Sequence, residues 1–130
     1  MKLLIDTHCW LWWLSAPDKI NRRAQRLVAN RDHEVFLSAA SCWEMAIKVA
    51  LGKLRIEEPL HLFVPSRLAA QGMQQLAVTH AHALRVALLP HHHRDPFDRM
   101  LVAQAQLEGL TILTADRQLE PYDVDTVWAD

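Results

Sequence analysis

The sequence has little glycine and little cysteine, with three and two respectively among 130 residues. So few glycines, with no low-complexity run, exclude a fibrous repeat or a disordered chain; 51% hydrophobic against 22% charged residues is a globular balance. Cys9 and Cys42 lie in apolar surroundings without zinc-type spacing, which argues against a disulfide framework and against a cysteine metal site. No apolar run approaches the ~20 residues of a membrane helix. The opening MKLLIDTHCW breaks its apolar character at Asp6, unlike a signal-peptide core. The expectation is a single domain over residues 1–130, in a reducing cytoplasm and with no membrane contact. The formal net charge of −1 lacks the basic excess that usually marks a nucleic-acid binder. It does not exclude one, because an acidic metal site subtracts charge where bound cations later neutralise a phosphate.

What is present is an alternation of two patterns. Short apolar runs at residues 2–5, 35–37, 75–78, 111–113 and 125–128 read as strands, and their lack of polar alternation suits a parallel sheet covered on both faces. Longer stretches predict helices at about 7–15, 21–30, 40–51, 60–71, 81–88 and 97–108. Pro59 and Pro96 suit first helical turns, Thr79 suits a cap, and Gly52, Gly72 and Gly109 fall where helices should stop. Strand and helix in turn imply an α/β class.

In parallel α/β sheets ligands bind beyond the carboxyl ends of the strands, so the residues that follow each strand carry the functional signal. The first strand ends in Asp6; the second leads into a helix carrying Glu44; Asp98 opens the helix before the fourth strand, which runs through Thr114 to Asp116. Four carboxylates in one pocket repel one another unless cations neutralise them. Oxygen donors without cysteine or histidine in ligand spacing favour Mg²⁺ or Mn²⁺ over zinc. One or two such ions commonly serve phosphodiester hydrolysis.

The segments LIDTH, SAASCWEMAIKVALGKL, HRDPFDRMLVAQA and TILTAD, in this order and spanning nearly the whole chain, resemble the PIN domain of VapC-type toxins, the nuclease halves of bacterial toxin–antitoxin pairs. The resemblance implies a three-layer α/β/α sandwich with a central parallel sheet of about five strands. It also implies an Mg²⁺- or Mn²⁺-dependent endoribonuclease, with one or two ions, acting as a toxin. The partners it implies are an RNA substrate, a cognate antitoxin and a second copy in a homodimer. The family acids fall on Asp6, Glu44, Asp98 and Asp116, as metal ligands and catalytic groups, with Thr7 and Thr114 as hydroxyls supporting them or orienting substrate. Asp6 and Asp98 are expected to hold the principal ion, Asp116 to complete its surroundings, and Glu44 to position or deprotonate water or to help with a second ion.

Each of these residues also has a plainer reading. Asp6 and Asp116 suit helix caps, and Ser41 with Glu44 forms an S-x-x-E capping box while Glu44 and Lys48 make an i, i+4 pair. Asp95, held extended before Pro96, is read as a cap or a support behind the ligands. The run His91 to His93 could bind a transition metal, but three adjacent histidines cannot all face one ion in a regular element, so it is read rather as an exposed loop that touches RNA phosphate together with Arg94 and Arg99; Lys48 is favoured for the same contact. Arg99 and Gln106, seven apart, are taken to mark the wetter side of their helix. Trp10, Trp12, Trp13 and Trp43 are read chiefly as packing residues, with one of Trp12 and Trp13 expected at the surface. Two other functions remain open from the residues alone: another Mg²⁺-dependent phosphohydrolase, disfavoured by DTH in place of a D-x-D motif, and a non-catalytic binding module of the same fold.

Overall fold

A computed structural model describes residues 1–130. Five strands, β1 (Lys2–Ile5), β2 (Glu34–Ser38), β3 (Gln74–Leu76), β4 (Thr111–Thr114) and β5 (Thr126–Trp128), form one sheet in the order β3-β2-β1-β4-β5. All four pairings are parallel. Six helices join them: α1 (Thr7–Ser15), α2 (Arg22–Ala29), α3 (Ala39–Ala50), α4 (Leu60–Gln71), α5 (His80–Val86) and α6 (Pro96–Glu108). Two short 3-10 turns, Pro17–Lys19 and Arg117–Leu119, have no counterpart in the sequence reading.

The period of two in a strand sends neighbouring side chains to opposite faces, and with both faces covered the middle of each central strand is apolar, polar residues falling at the strand ends. Leu3 and Ile5 enter a core with Trp10, Ala24, Met45, Val64 and Leu68, from α1 to α4. Leu4 enters the opposite core with Leu101, Val102 and Ala105 of α6 and with Leu119 and Tyr122. The sheet is therefore the middle of three layers. Leu3, Leu4 and Ile5 are fully buried, each worth about 1.5–3 kcal/mol of hydrophobic transfer.

The chain departs from β1 toward β2 and β3 on one side, and β4 and β5 lie on the other. The direction of winding reverses between β1 and β4, and a crevice opens beyond the carboxyl ends of these strands. The Asp6 N–H donates to the Leu113 carbonyl at 3.0 Å, tying the end of β1 to β4. Opposite, α6 runs from Asp95, its cap, to Gly109, whose positive φ of 67° turns the chain back toward β4. One change of register concerns α3. It begins at Ala39 with Ser38 as cap, so Ser41 lies inside the helix and the expected Ser41–Glu44 capping box does not form.

Candidate metal-dependent active site

The three aspartates nearest the crevice are placed by the local rules that start helices. Asp6 ends β1 and caps α1, its Oδ1 accepting from the Cys9 N–H at 2.7 Å. Asp116 follows β4 and accepts from the Gln118 N–H at 3.0 Å, starting the 3-10 turn. Asp95 caps α6 by accepting from the N–H groups of Phe97 (2.9 Å) and Asp98 (3.2 Å), which sets Asp98 in the first turn. Capping bonds thus orient Asp6 and Asp116 directly, and the helix that Asp95 starts carries Asp98 toward them.

Thr114 joins two of these acids. Its hydroxyl donates to Asp6 Oδ2 and accepts from the Asp116 N–H at 3.0 Å. Both Asp6 oxygens are engaged and the residue is buried; burial raises its pKa, while the bonds from Thr114 and Cys9 and the nearby His8 oppose the rise. Asp98 has no such relief. Burial, then the charge of Asp95, then Asp116 and Asp6 all push its carboxyl the same way, up to about 8. Four carboxyl groups are therefore close enough to sense one another.

Glu44 stands apart from this group. Thr7 donates to its Oε1 at 2.7 Å and Lys48 approaches its Oε2 at 2.8 Å, so its charge is already compensated although the residue is buried. Thr7 follows Asp6 directly and so couples Glu44 to the end of β1. Lys48 also lies 3.4 Å from His8, and a cleft of about 340 Å³ beside Thr7 is lined by His8, Lys48 and Lys53.

No three His, Cys, Asp or Glu side chains are already gathered into a ligand shell. A hard divalent cation nevertheless fits what is present: the donors are carboxylate oxygens, and Asp98 is pushed up first by burial and then by the neighbouring acids Asp95, Asp116 and Asp6, a crowding that a bound cation would offset.

Two sequence expectations need correction here. Arg99 does not face RNA. It is 7% exposed, donating to the carbonyls of Pro90 (2.7 Å), Val86 (3.3 Å) and Leu89 (3.4 Å) and to the Tyr122 hydroxyl (3.0 Å). A guanidinium with five donors satisfies several carbonyls of a turning segment at once, and that use overrides the helical periodicity that suggested a wet face. The histidine run is also divided. His91, His92 and Arg94 are exposed, whereas the His93 side chain is 7% exposed and its Nε2 lies 3.5 Å from Asp98 Oδ2. The residues form no regular element, so spacing carried no signal; its partner Tyr122 is 29 positions away.

The tryptophans separate similarly. Trp10 is buried, Trp12 and Trp13 are half-buried, and Trp43, beside Glu44, is 65% exposed with its ring edge-on to Phe97 at 5.4 Å. Apolar clefts flank α3: one of about 420 Å³ lined by Trp43, Val86, Phe97 and Met100, and a larger one of about 810 Å³ lined by Cys42, Leu60, Val64 and Leu68. Neither is lined by Asp6, Glu44, Asp98 or Asp116.

Comparison with known proteins agrees with this geometry. The family model described as PIN domain matches residues 3–125. Ribonuclease VapC16 of Mycobacterium tuberculosis is 42% identical over 67 residues, 52% of this chain and 47% of that protein, so that match spans about half of the relative. Ribonuclease VapC22 of the same organism is 25% identical over 121 residues, 92% of this chain and 91% of that one. Among solved structures, VapBC2 from Rickettsia felis, bound to a DNA fragment from its promoter, superposes with a TM-score of 0.74 at 13% identity over 100% of both chains. FitAcB from Neisseria gonorrhoeae superposes at 0.65 with 20% identity over 95% of each chain. At such identities the structural likeness speaks for the fold.

Proposed function

This chain belongs to the PIN-domain family, and from that premise we propose that it is a divalent-metal-dependent endoribonuclease, the toxin of a toxin–antitoxin pair. The observation that carries the reading is the convergence of Asp6, Asp98 and Asp116 at the reversal of the sheet, with an electrostatic strain at Asp98 that a cation relieves. PIN nucleases are generally dependent on divalent metals. Here Asp98 and Asp116 would hold Mg²⁺ or Mn²⁺ together with Asp6, and the bound ion would activate water and steady the oxygen leaving phosphorus.

The chain's own groups do the rest. Thr114 fixes the orientation of Asp6 while its oxygen receives the Asp116 N–H, so one hydroxyl sets the spacing of two acids. Thr7 holds Glu44, whose compensated carboxylate is placed to orient water or substrate. Lys48, Lys53 and His8 line a cleft next to that carboxylate and suit an RNA phosphate, and exposed Arg94 extends the contact on the α6 side. The apolar clefts along α3, with Trp43 at the surface, suit an antitoxin segment. The structurally similar proteins include a toxin–antitoxin complex from Klebsiella pneumoniae. A homodimer in the cytoplasm belongs to the same proposal; no helix is long and apolar enough to cross a membrane.

Incubation of the purified protein with single-stranded and structured RNA in Mg²⁺, Mn²⁺ or EDTA tests the proposal. Cleavage that requires the ion is the expected result. No cleavage of any RNA under any ion would favour a binding module of the same fold.

A further inference from the structure

His93 has no role in the site as read so far, yet its side chain is buried against it. Nε2 is shut off from solvent without a hydrogen-bond partner, and an orphaned buried donor or acceptor calls for an explanation. The nearest acid is Asp98, whose Oδ2 lies 3.5 Å from that nitrogen. On the other side of the ring, Nδ1 is 2.7 Å from the Tyr122 hydroxyl.

The remaining partners favour one placement of the ring proton. The Arg99 guanidinium can only donate, and its Nη1 is 3.0 Å from the Tyr122 oxygen, so that oxygen accepts. The single Tyr122 hydrogen is then free to go to His93 Nδ1 at 2.7 Å, and this is the assignment in which Nε2 can act as a donor toward Asp98. A neutral ring accepting at Nδ1 carries its hydrogen on Nε2, facing Asp98. Arg99 itself is held by the carbonyls of Val86, Leu89 and Pro90. A chain of contacts thus runs from the main chain at residues 86–90 through Arg99 and Tyr122 to His93.

We infer that His93 is a positioning residue, held by Tyr122 with its proton on Nε2, which donates to Asp98 Oδ2 and fixes the rotation of that carboxylate for cation binding. The inference rests on the metal-binding reading of Asp98. A carboxylate that holds a cation is ionised and accepts only, so it supplies the partner that Nε2–H otherwise lacks. Hydrogen bonds that orient a ligand from behind commonly contribute about 10- to 100-fold in metal affinity.

Two measurements test it. In metal-free protein at pH 9, where Asp98 is ionised, with ¹⁵N-labelled histidine, long-range ¹H–¹⁵N correlations should show His93 as the Nε2–H tautomer, and Tyr122→Phe should convert it to a mixture. Mn²⁺ titration by calorimetry should show His93→Leu binding about 10- to 100-fold more weakly than wild type, with His93→Gln recovering most of the loss because its amide N–H can reach the same oxygen. An Nδ1–H tautomer in the wild type overturns the inference whatever the affinity. Equal Mn²⁺ affinity in wild type and His93→Leu overturns it while leaving the metal reading intact, as does a His93→Gln variant no better than His93→Leu. A wild type that binds no Mn²⁺ overturns both. Should His93→Leu fail to fold, Tyr122→Phe, which keeps the packing ring, carries the affinity test with the same expected direction.

Discussion

Asp98 is the residue on which the electrostatics turn. Its carboxyl titrates at about 8 in the folded chain, against about 4 in an unfolded one, so between these values the metal-free folded state keeps a proton that the unfolded state loses. That contribution to stability is full below pH ~4 and is lost as pH rises through about 8. Asp98→Asn removes the titration, so in EDTA its melting temperature should gain on the wild type as pH goes from 5 to 9; a pH-independent difference would contradict the crowding of the acids. Two arginines five positions apart divide the same way. Arg99→Met should destabilise by about 2 kcal/mol or more in denaturant melts, since it strips charged donors from buried carbonyls. Arg94→Ala should leave stability unchanged and lower the salt slope of RNA binding by about 0.7. Sequence alone did not separate them: both sit in HHHRDPFDR, and only the fold shows that one points inward.

At the scale of elements, α6 is the part that brings Asp98 to the crevice, and Asp95 is the part that starts α6. Asp95→Ala should cost about 1 kcal/mol as a lost cap and also weaken Mn²⁺ binding, because the first turn that carries Asp98 loosens. Circular dichroism melts and Mn²⁺ titration read the two effects separately, and unchanged Mn²⁺ affinity would show that the cap does not position the acid. The strands and helices were legible from apolar runs, Pro59, Pro96, Thr79 and the glycines, each of which marks a boundary by a local rule. The 3-10 turns were not legible, since three residues leave no periodicity to detect. Nor was the start of α3, where Ser38 and Ser41 offer rival caps and it is the Ser38 side chain that accepts from the Ala40 N–H.

For the whole molecule, the order β3-β2-β1-β4-β5 brings Asp6, Asp98 and Asp116, distant in sequence, close together, and this could be anticipated only as strand ends sharing one edge. The connections among them were beyond the sequence: Thr114 between Asp6 and Asp116, Thr7 on Glu44, and the Arg99–Tyr122–His93 chain each join residues far apart in the chain or fixed by side-chain rotation. A cation bound at the crevice acts on the entire fold through mass action. At one hundred times its dissociation constant, Mn²⁺ should add about 2.7 kcal/mol to stability, seen as a rise in melting temperature that EDTA reverses.

The most direct test of the central claim compares wild type with Asp98→Asn in cleavage of one single-stranded RNA, each with Mn²⁺ and with EDTA. The account predicts ion-dependent cleavage by the wild type and a loss in the folded variant beyond the ~100-fold that an outer hydrogen-bond partner costs. A folded Asp98→Asn protein that cuts as fast as the wild type, or wild-type cleavage that persists in EDTA, would contradict it.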